Sequence, residues 1–437
     1  MAEQTKFVQR HGVKLNGEIF FDLIVFHSEN LKKQSLNDLT IILKKNYNIE
    51  QYEKQSLQDR FNQYAVKFLS SALEKLLQTQ INTTAIKKLA NHVNRVPIKD
   101  SVCFQIDESL ADDYQGSGGA GSAAAMRIQF EYDLLSGNII DLSINAFTDT
   151  DAKNSVATIE CTQEGDLVLR DLAYMSIEVL NKIIEKLAYF LCRSNANVKM
   201  YELIKGEYVE LNFSKIVKSM EKHKIAFFEK EIYYGKKEKL KTRLILHLLP
   251  SEELAKRLRK AKKKVKKDKR NLSKEYKARA ALNLFITNAS VEQIPTKNVW
   301  QIYRLRWQIE LFFKIWKSIC NIEKIKKVKK ERLECYVYSK LIIIMLGWKI
   351  TWSVAKNMLL MSGKVLSFYK AFKTLINCQL DNFRLALKSS QNDIENIVSF
   401  IVDFYDISVT KHLLEKRLKE QTSYEILKNC LLDKTIN

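Results

Sequence analysis

One glutamate surrounded by basic side chains marks residues 302–318, which read IYRLRWQIELFFKIWKS. If this segment is helical, its polar side chains fall within roughly a quarter of the helix circumference, opposite an apolar and aromatic face. They are Tyr303, Arg306, Glu310, Lys314 and Lys317. Two interpretations follow. The segment is either a surface helix with ion pairs worth about 0.3 kcal/mol each, or a catalytic carboxylate held among phosphate-binding side chains.

Two aspartates are predicted to follow buried strands elsewhere in the chain. The segment SVCFQID ends in Asp107, and DLVLRD ends in Asp171. Glu310 follows a third apolar strand, ALNLFITN at 281–288. Carboxylates that converge at a sheet edge form an all-oxygen site for one or two Mg²⁺ ions, which suits in-line displacement at phosphorus. The three side chains therefore predict metal-dependent phosphoryl transfer.

The charge balance indicates a polyanionic partner. The chain of 437 residues has 72 Lys and Arg against 50 Asp and Glu, a formal charge of +22. Nucleic acid and an anionic membrane surface both fit this charge. The most apolar run, LIIIMLGW at 341–348, is far too short to span a bilayer, and the sequence begins without the pattern of a signal peptide. We therefore expect a nucleic-acid partner and no membrane segment.

The cysteines and histidines limit the kinds of site that the chain can form. Seven cysteines are scattered without a CxxC pair, which is typical of reduced thiols in a cytoplasmic protein. Six histidines lie far apart in the sequence, so a metal site would have to use carboxylates.

Short amphipathic helices are predicted within residues 1–98, beginning at Ser35. A polar turn, KKNYNIEQ, separates two of them, and the second carries Gln55, Gln58 and Arg60. This arrangement is similar to a helix-turn-helix, in which the second helix reads DNA bases. A plain helical bundle fits the same pattern, and both alternatives stay open.

The period of the hydrophobic pattern changes to that of strands near residue 101. MRIQFEYDLL and NIIDLSINAF are predicted to form a hairpin around Ser136-Gly137. Ser176 is predicted to cap a helix through IEVLNKIIEKLAYFL. Arg170 is expected either to orient Asp171 or to pair with it, whereas Trp300 and Trp307 are predicted to be core residues and not base-stacking ones.

A strongly basic segment, KRLRKAKKKVKKDKR at 256–270, holds eleven basic residues and one acid. Such runs are commonly solvated surfaces, but in so basic a chain we favour an arm that follows DNA phosphates without reading sequence. The side chains expected to contact DNA there are Lys263, Lys264, Lys267 and Arg270.

The spacing Tyr303-(2)-Arg306-(3)-Glu310-(6)-Lys317 resembles the Y-R-E-K signature of bacterial DDE transposases of the insertion-sequence-four family. RWQIELFFK, GSGGAGSAAAMRIQFEYDLLSG and LVLRDLAYMS are similar to the same family. The resemblance covers roughly residues 100–330 and is weaker at both ends.

This resemblance implies the roles of individual residues. Asp107, Asp171 and Glu310 would be the catalytic, metal-binding carboxylates for two Mg²⁺ ions, for which Mn²⁺ could substitute. The side chains that would contact terminal DNA phosphates are Tyr303, Arg306 and Lys317. One departure stands out, because Glu108 follows the first aspartate where relatives usually have a small residue.

The resemblance also implies an activity and an assembly. The family cuts double-stranded DNA at the element's terminal inverted repeats and joins the 3′ ends to target DNA, in some relatives through a hairpin. A homodimer would hold two element ends, and the protein would act on the bacterial nucleoid in the cytoplasm. The alternatives are a structure-specific DNA nuclease of RNase H type without strand transfer, and a catalytically inactive DNA-binding relic.

The predicted fold class is α/β, with an RNase H-like mixed sheet, a β-rich insertion and helical regions at both ends. A helical DNA-binding domain is expected at 1–98 and the first part of the catalytic domain at 99–200. The β-rich insertion with its basic arm is expected at 201–281, and the last strand and signature helix at 282–330. A helical region suited to dimerisation is expected at 331–437.

Overall fold

The computed structural model describes residues 1–10, 14–27, 34–79, 93–118, 121–194, 198–267, 272–389, 394–415 and 425–427. Its strands are β1 Pro97–Gln105, β2 Ala125–Asp133, β3 Ile139–Ala146, β4 Leu167–Arg170, β5 Tyr189–Arg193, β6 Met200–Ile204, β7 Glu207–Glu210, β8 Phe227–Tyr234, β9 Leu240–Leu248 and β10 Leu282–Thr287.

The α-helices surround this sheet and, within the described residues, occupy most of both ends of the chain. The first eight are α1 Gly17–Phe26, α2 Leu36–Tyr47, α3 Lys54–Arg60, α4 Gln63–Gln78, α5 Asp151–Ala157, α6 Ile177–Glu185, α7 Phe213–Lys222 and α8 Ser251–Lys267. The remaining ones are α9 Lys274–Ala280, α10 Val299–Arg304, α11 Gln308–Ser318, α12 Lys330–Ser362, α13 Phe368–Cys378, α14 Leu380–Ser389 and α15 Glu395–Lys411.

The described strands form one mixed sheet of ten, in the order β3-β2-β1-β4-β5-β10-β9-β8-β6-β7. β1, β4 and β5 run parallel to one another, while β2 and β3 form an antiparallel meander beside β1. The first five strands in this order have the RNase H-like arrangement, so the predicted fold class is confirmed. β6 to β9 extend the same sheet through β10, which pairs antiparallel with both β5 and β9.

The predicted hairpin between β2 and β3 is confirmed and requires a glycine at its turn. Gly137 has a φ of +73°, and a Cβ atom there would lie 2.2 Å from the Trp352 indole. The Gly137 carbonyl accepts a hydrogen bond from Trp348 Nε1 at 2.7 Å. The turn is thereby fixed against α12, and any side chain at this position would clash with it.

The helix predicted after Ser176 is shorter than expected. Ser176 caps it as predicted, because its hydroxyl accepts a hydrogen bond from the Val179 amide at 3.3 Å. The helix ends at Glu185, however, and the residues from Tyr189 onward form β5. Leu187, with a φ of +55°, separates the two elements. A short apolar run fits a buried strand as well as a helix, so periodicity could not distinguish them.

The long helix α12 lies in the core between β2 and the N-terminal helices α1 and α4. By length and composition it is the one described helix that could cross a membrane, but 72% of its apolar window is buried inside the protein. Trp348 packs edge-to-face against Phe130 and Tyr132 of β2, with ring centroids 5.5 and 5.0 Å away. This burial is typical of the central helix of a globular protein.

The N-terminal helices pack as a bundle. Two of the three side chains predicted to read DNA bases, Gln58 and Arg60, make contacts inside the protein instead. Gln58 accepts a hydrogen bond from Arg332 Nη1 at 3.1 Å. The Arg60 guanidinium lies 3.9 Å from the centre of the Phe7 ring. Of these three, Gln55 alone is exposed. The structure therefore favours the helical-bundle alternative for α3.

A buried carboxylate joins the first helix of the chain to α14. Asp22, which is 4% exposed, accepts hydrogen bonds from Arg384 Nε at 2.8 Å and Arg384 Nη2 at 2.7 Å. Lys388 Nζ lies 2.7 Å from the same carboxylate, and the Tyr47 hydroxyl also donates to it. Although burial opposes ionisation, these donors hold the pKa of Asp22 at about 2.

Asp22→Asn is expected to lower the free energy of unfolding at pH 7 by about 2 kcal/mol or more, because Arg384 and Lys388 lose their buried counter-charge. The folded pKa of Asp22 lies below its ordinary value of 3.8, so the stabilisation is present above pH 4 and is lost as the pH falls toward 2. Urea denaturation at pH 7 and pH 3 measures both effects. Asp381→Asn, at an exposed position on α14, is the matched control, and equal stability of the two variants would contradict the prediction.

Candidate active site

Two aspartates lie side by side where β1 runs parallel to β4. Lys99 of β1 is in register with Arg170 of β4, so the next residues along each chain, Asp100 and Asp171, are neighbours. Asp171 directly follows β4 and precedes a short 3-10 helix at Leu172–Tyr174. Parallel strands present their carboxyl ends at one sheet edge, which is where α/β enzymes place reactive groups.

Arg306 connects Asp100 to the glutamate of the signature helix. Its Nη1 lies 3.3 Å from Asp100 Oδ2, and its Nη2 lies 3.3 Å from Glu310 Oε1. The arginine is 8% exposed, whereas the Glu310 side chain is 56% exposed. The guanidinium therefore occupies the space between the two carboxylates.

Burial raises the pKa of Asp100 to about 6. This net value already includes the negative charges of Asp171 and Asp151, which also raise the pKa, and the Ser101 amide and Arg306 guanidinium, which lower it. The Asp100 side chain is 23% exposed, and Arg306 is its cationic neighbour here. A partly buried carboxylate beside a second carboxylate is stabilised in its charged form by a further cation.

The aromatic face predicted for residues 302–318 is buried against the sheet, as expected. Trp316 packs on Phe130 of β2 with ring centroids 4.9 Å apart. The buried side chains of this face are Ile302, Leu305, Ile309, Phe312, Phe313 and Trp316. The segment is not one unbroken α-helix, because a 3-10 turn at Leu305–Trp307 separates α10 from α11. That turn carries Arg306.

The structure does not bring Asp107 to this site, so the placement predicted for it is wrong. β1 begins at Pro97 and ends at Gln105, which puts Asp100 inside the strand and Asp107 beyond it. At about 3.3 Å per residue, the end of β1 already lies roughly 16 Å from Asp100. Asp107 instead accepts hydrogen bonds from the Ser109 amide and hydroxyl, and lies 3.2 Å from Lys327 Nζ.

Sequence reasoning did not single out Asp100, the aspartate that the structure places beside Asp171, although a signal for it was available. Asp100 is followed by Ser101, a small residue, whereas Asp107 is followed by Glu108. The acidic residue after Asp107 departs from the family pattern noted above, whereas the small residue after Asp100 agrees with it.

The other predicted phosphate-contact residues differ in exposure. Tyr303 is 3% exposed, and its ring packs edge-to-face on Phe285 with centroids 5.3 Å apart. The prediction that the phenol of Tyr303 points outward is therefore wrong. Lys317 is about 41% exposed and lies 3.5 Å from Glu323.

The two tryptophans near the site also differ from each other. Trp300 is half-buried and packs on Phe285, with ring centroids 5.9 Å apart, as predicted for a core residue. Trp307 is 55% exposed, so the core interpretation is wrong for this side chain.

Arg170 neither orients Asp171 nor pairs with it, contrary to both predicted alternatives. Its guanidinium points to the opposite face of the sheet and donates two hydrogen bonds to Glu131 Oε1, at 3.0 and 2.7 Å. It also donates to Ser155 Oγ at 2.9 Å. Lys99 lies 3.6 Å from Glu131 and 2.8 Å from Asp141. A buried ionic layer thus lies directly behind the two aspartates.

The basic segment forms most of helix α8, whose inner face is anchored to β10. Arg257 donates hydrogen bonds to the Leu282 carbonyl at 2.9 Å and to Asn283 Oδ1 at 2.8 Å. Lys263 is exposed on this helix. The side chains of Lys264 and Lys267, and all of Arg270, lie outside the described residues.

The carboxylates fit a hard divalent cation in type but are not gathered around one point. Among the described residues, no group of three or more His, Cys, Asp or Glu side chains lies close enough to hold a metal ion. Arg306 Nε is buried without a hydrogen-bond partner in the described structure. Oxygen donors from two adjacent aspartates and a nearby glutamate match the ligands that Mg²⁺ and Mn²⁺ prefer.

Comparison with known proteins places this site in a family. Residues 92–346 match the family described as Transposase DDE domain. The transposase for insertion sequence element IS231F of Bacillus thuringiensis subsp. israelensis is 33% identical over 386 residues, covering 85% of this chain and 78% of that protein. The transposase for insertion sequence element IS1151 of Clostridium perfringens is 30% identical over 391 residues, covering 86% and 82%. The resemblance drawn from the Tyr-Arg-Glu-Lys spacing is confirmed, and this chain belongs to the DDE transposase family.

Proposed function

We propose that this protein cuts DNA at the terminal inverted repeats of its insertion sequence and joins the freed 3′ ends to target DNA. The observation that carries the proposal is the adjacency of Asp100 and Asp171 on parallel strands, with Arg306 linking Asp100 to Glu310. Family membership supports DNA as the substrate, and the charge of +22 suits a polyanion.

Asp100, Asp171 and Glu310 would hold the divalent metal, with Mg²⁺ as the expected ion and Mn²⁺ as a substitute. Two such ions would activate the attacking oxygen and stabilise the leaving oxygen of the phosphodiester. Asp107 takes no part in this proposal, because Ser109 and Lys327 already bind its carboxylate on a different part of the surface.

Arg306 determines when Glu310 becomes available to the aspartates. It now binds Asp100 and Glu310 together, at 3.3 Å each. A DNA phosphate offers oxygen acceptors that compete for the guanidinium, and Arg binds phosphate in a two-pronged geometry. Docking of DNA would therefore draw Arg306 away and leave the carboxylates free to converge.

Several surfaces would hold the DNA around this site. Lys317 and the basic helix α8, including Lys263, would contact phosphates, and the exposed indole of Trp307 would stack on a base. We propose the same domain division as the sequence predicted, with residues 1–98 binding the inverted repeats through surfaces other than the packed face of α3 and 331–437 supporting a homodimer on two ends. Such a protein would act at the bacterial nucleoid.

A strand-transfer assay with the purified full chain tests the proposal. The donor plasmid carries a marker gene between the two DNA segments that flank the coding region, and a second plasmid is the target. With Mg²⁺ we expect the marker joined to the target through its 3′ ends, as read by sequencing of the junctions. Addition of a chelator is expected to stop the reaction.

The alternatives give different products in the same assay. Cleavage without joined products would identify a nuclease without strand transfer. DNA binding without cleavage at any Mg²⁺ concentration would identify an inactive relic. Covalently closed ends on a denaturing gel would establish the hairpin route.

A further inference from the structure

A cluster of tyrosines lies on the outer strands of the sheet, far along it from the candidate active site. Tyr208 of β7 packs edge-to-face on Tyr233 of β8, with ring centroids 4.9 Å apart, and on Tyr201 of β6, at 6.5 Å. The Lys239 ammonium lies 4.6 Å from the Tyr208 ring centre and 5.5 Å from that of Tyr201. We name these four residues, with the neighbouring Leu203, the tyrosine surface.

The tyrosine surface is the solvent side of β6 and β8, whose other side is core at Met200 and Ile232, and it continues onto β7, which is exposed on both faces. Met200 and Ile232 are fully buried on that opposite side, at 0% exposure. By contrast, Tyr208 is 44% exposed and Leu203 is 48% exposed. Successive strand residues alternate between the two faces, so a solvated face would be expected to carry polar side chains. Aromatic and apolar groups grouped there indicate a ligand.

The same face of the sheet carries the signature helix. Tyr233 is in register with Lys241 of β9, so the two share a face, and Ile245 lies on that face four residues later. Ile245 is in register with Phe285 of β10, whose ring packs on Tyr303. Ile245 and Phe285 are themselves buried, at 1% and 0% exposure, beneath α10 and the residues before it. A ligand that extends from the active site to the tyrosine surface would therefore pass over α10 on one side of the sheet, without passing around an edge.

The distance between the two sites suits a DNA substrate. Five strand-to-strand steps separate β4, which precedes Asp171, from β6. At about 4.8 Å per step the separation is roughly 24 Å. At the duplex spacing of about 3.4 Å per nucleotide this distance corresponds to about seven nucleotides, and a more extended unpaired strand covers it in fewer.

The charges around the tyrosine surface suit phosphate. Three exposed lysines lie in the turns that border it: Lys205, Lys236 and Lys237. The carboxylate of Glu210 is paired with Lys199, with nitrogen–oxygen distances of 2.5 and 2.6 Å. Glu231 is paired with Lys241 at 3.0 Å. The acids Glu210 and Glu231 are therefore neutralised. The turn at 235–239 also carries the exposed Glu238, but its lysines outnumber that acid, so the border remains positive.

We propose that the tyrosine surface binds an unpaired DNA strand within about seven nucleotides of the phosphodiester that is cut. The aromatic rings would stack on bases, and the bordering lysines would hold the phosphates. In an intact duplex the bases already stack on one another. A duplex would therefore bind through the lysines alone and would gain no affinity from Leu203 or the aromatic rings. The location relative to the cut bond rests on the proposed function.

Binding of single-stranded DNA can be measured without any cleavage. The probe is a fluorescent fifteen-nucleotide oligothymidine, titrated with the full chain and followed by anisotropy. Tyr208→Ser is expected to weaken binding about tenfold, whereas Tyr208→Phe keeps the ring and is expected to stay within about twofold of the unchanged chain. Tyr276→Ser, at a tyrosine that is 40% exposed on α9, is the matched control. Equal binding by all variants would overturn the proposal.

Two further measurements distinguish DNA binding from self-association and from loss of folding. If Tyr208→Ser alters the oligomeric state in gel filtration and leaves oligothymidine binding unchanged, the surface is a contact between copies of the chain and the proposal fails. If the variant does not fold, photo-crosslinking of iodouracil-containing DNA to the unchanged chain decides. Crosslinked peptides must then include Tyr201, Tyr208 or Tyr233. Because neither assay requires cleavage, failure here is distinguishable from failure of the proposed transposase activity.

Discussion

Asp100→Asn is expected to reduce DNA cleavage by at least about 10³-fold, whereas Asp107→Asn is expected to leave the rate within about threefold. Removing a carboxylate from a two-metal site costs several kcal/mol of transition-state stabilisation, and about 1.4 kcal/mol corresponds to a factor of ten. Asp107 lies beyond the end of β1, where its partners are Ser109 and Lys327. Single-turnover cleavage of end-containing DNA in Mg²⁺ measures both rates.

Binding of the same DNA is the control, and Asp100→Asn should retain it. The variant should also remain folded, because ionised Asp100 costs stability: its folded pKa of about 6 lies above its ordinary value of 3.8. Its unfolding temperature at pH 7 is therefore expected not to fall. Loss of cleavage in Asp107→Asn with normal cleavage in Asp100→Asn would reverse the assignment.

The raised pKa of Asp100 also predicts a pH dependence in limiting metal. Protons compete with the cation for this carboxylate once the pH falls below about 6. Cleavage at subsaturating Mg²⁺ is therefore expected to decline from pH 7 to pH 5 and to recover at pH 5 when Mg²⁺ is raised. If excess Mg²⁺ does not restore cleavage at pH 5, the loss of activity comes from titration of a group other than Asp100.

Glu131→Ala is expected to destabilise the fold by about 3–5 kcal/mol, the largest stability effect that the structure predicts. Glu131 is 1% exposed and receives two hydrogen bonds from Arg170, which is equally buried. Its removal leaves that guanidinium without its partner inside the sheet, with only Ser155 still accepting a hydrogen bond. Urea denaturation of the variant and the unchanged chain gives the difference.

The double variant Glu131→Leu with Arg170→Met separates the cost of a broken pair from the value of the pair. Replacing both buried charges by apolar side chains of similar size is often close to neutral, so the double variant should be more stable than Glu131→Ala. Glu160→Ala removes an exposed partner of Lys186 and should cost far less, because water screens that pair. If Glu131→Ala costs no more than Glu160→Ala, the ionic layer does not support the sheet.

Local patterns predicted the parts of this fold that are built from neighbouring residues. The hairpin around Gly137, the strand that precedes Asp171 and the buried face of the helix that bears Glu310 all follow from short-range alternation or helical spacing. Asp100 was not predicted as a site residue because Lys99 and Asp100 make the start of β1 look too polar for a buried strand. Lys99 is buried there only because Glu131 and Asp141, distant in sequence, compensate its charge. No short stretch of sequence around Lys99 contains these two acids, so local patterns could not predict its burial.

The contact between Asp22 and Arg384 has a consequence for how the protein is made. The two residues are separated by 362 positions, so the first helix emerges from the ribosome long before its partner exists. At about 5–20 residues per second, the delay is roughly 20 to 70 s. During that time the Asp22 carboxylate of α1 stays solvated, and its pairing with Arg384 must wait for the last helices. The earliest part of the chain to be synthesised is thus among the last to reach its final packing.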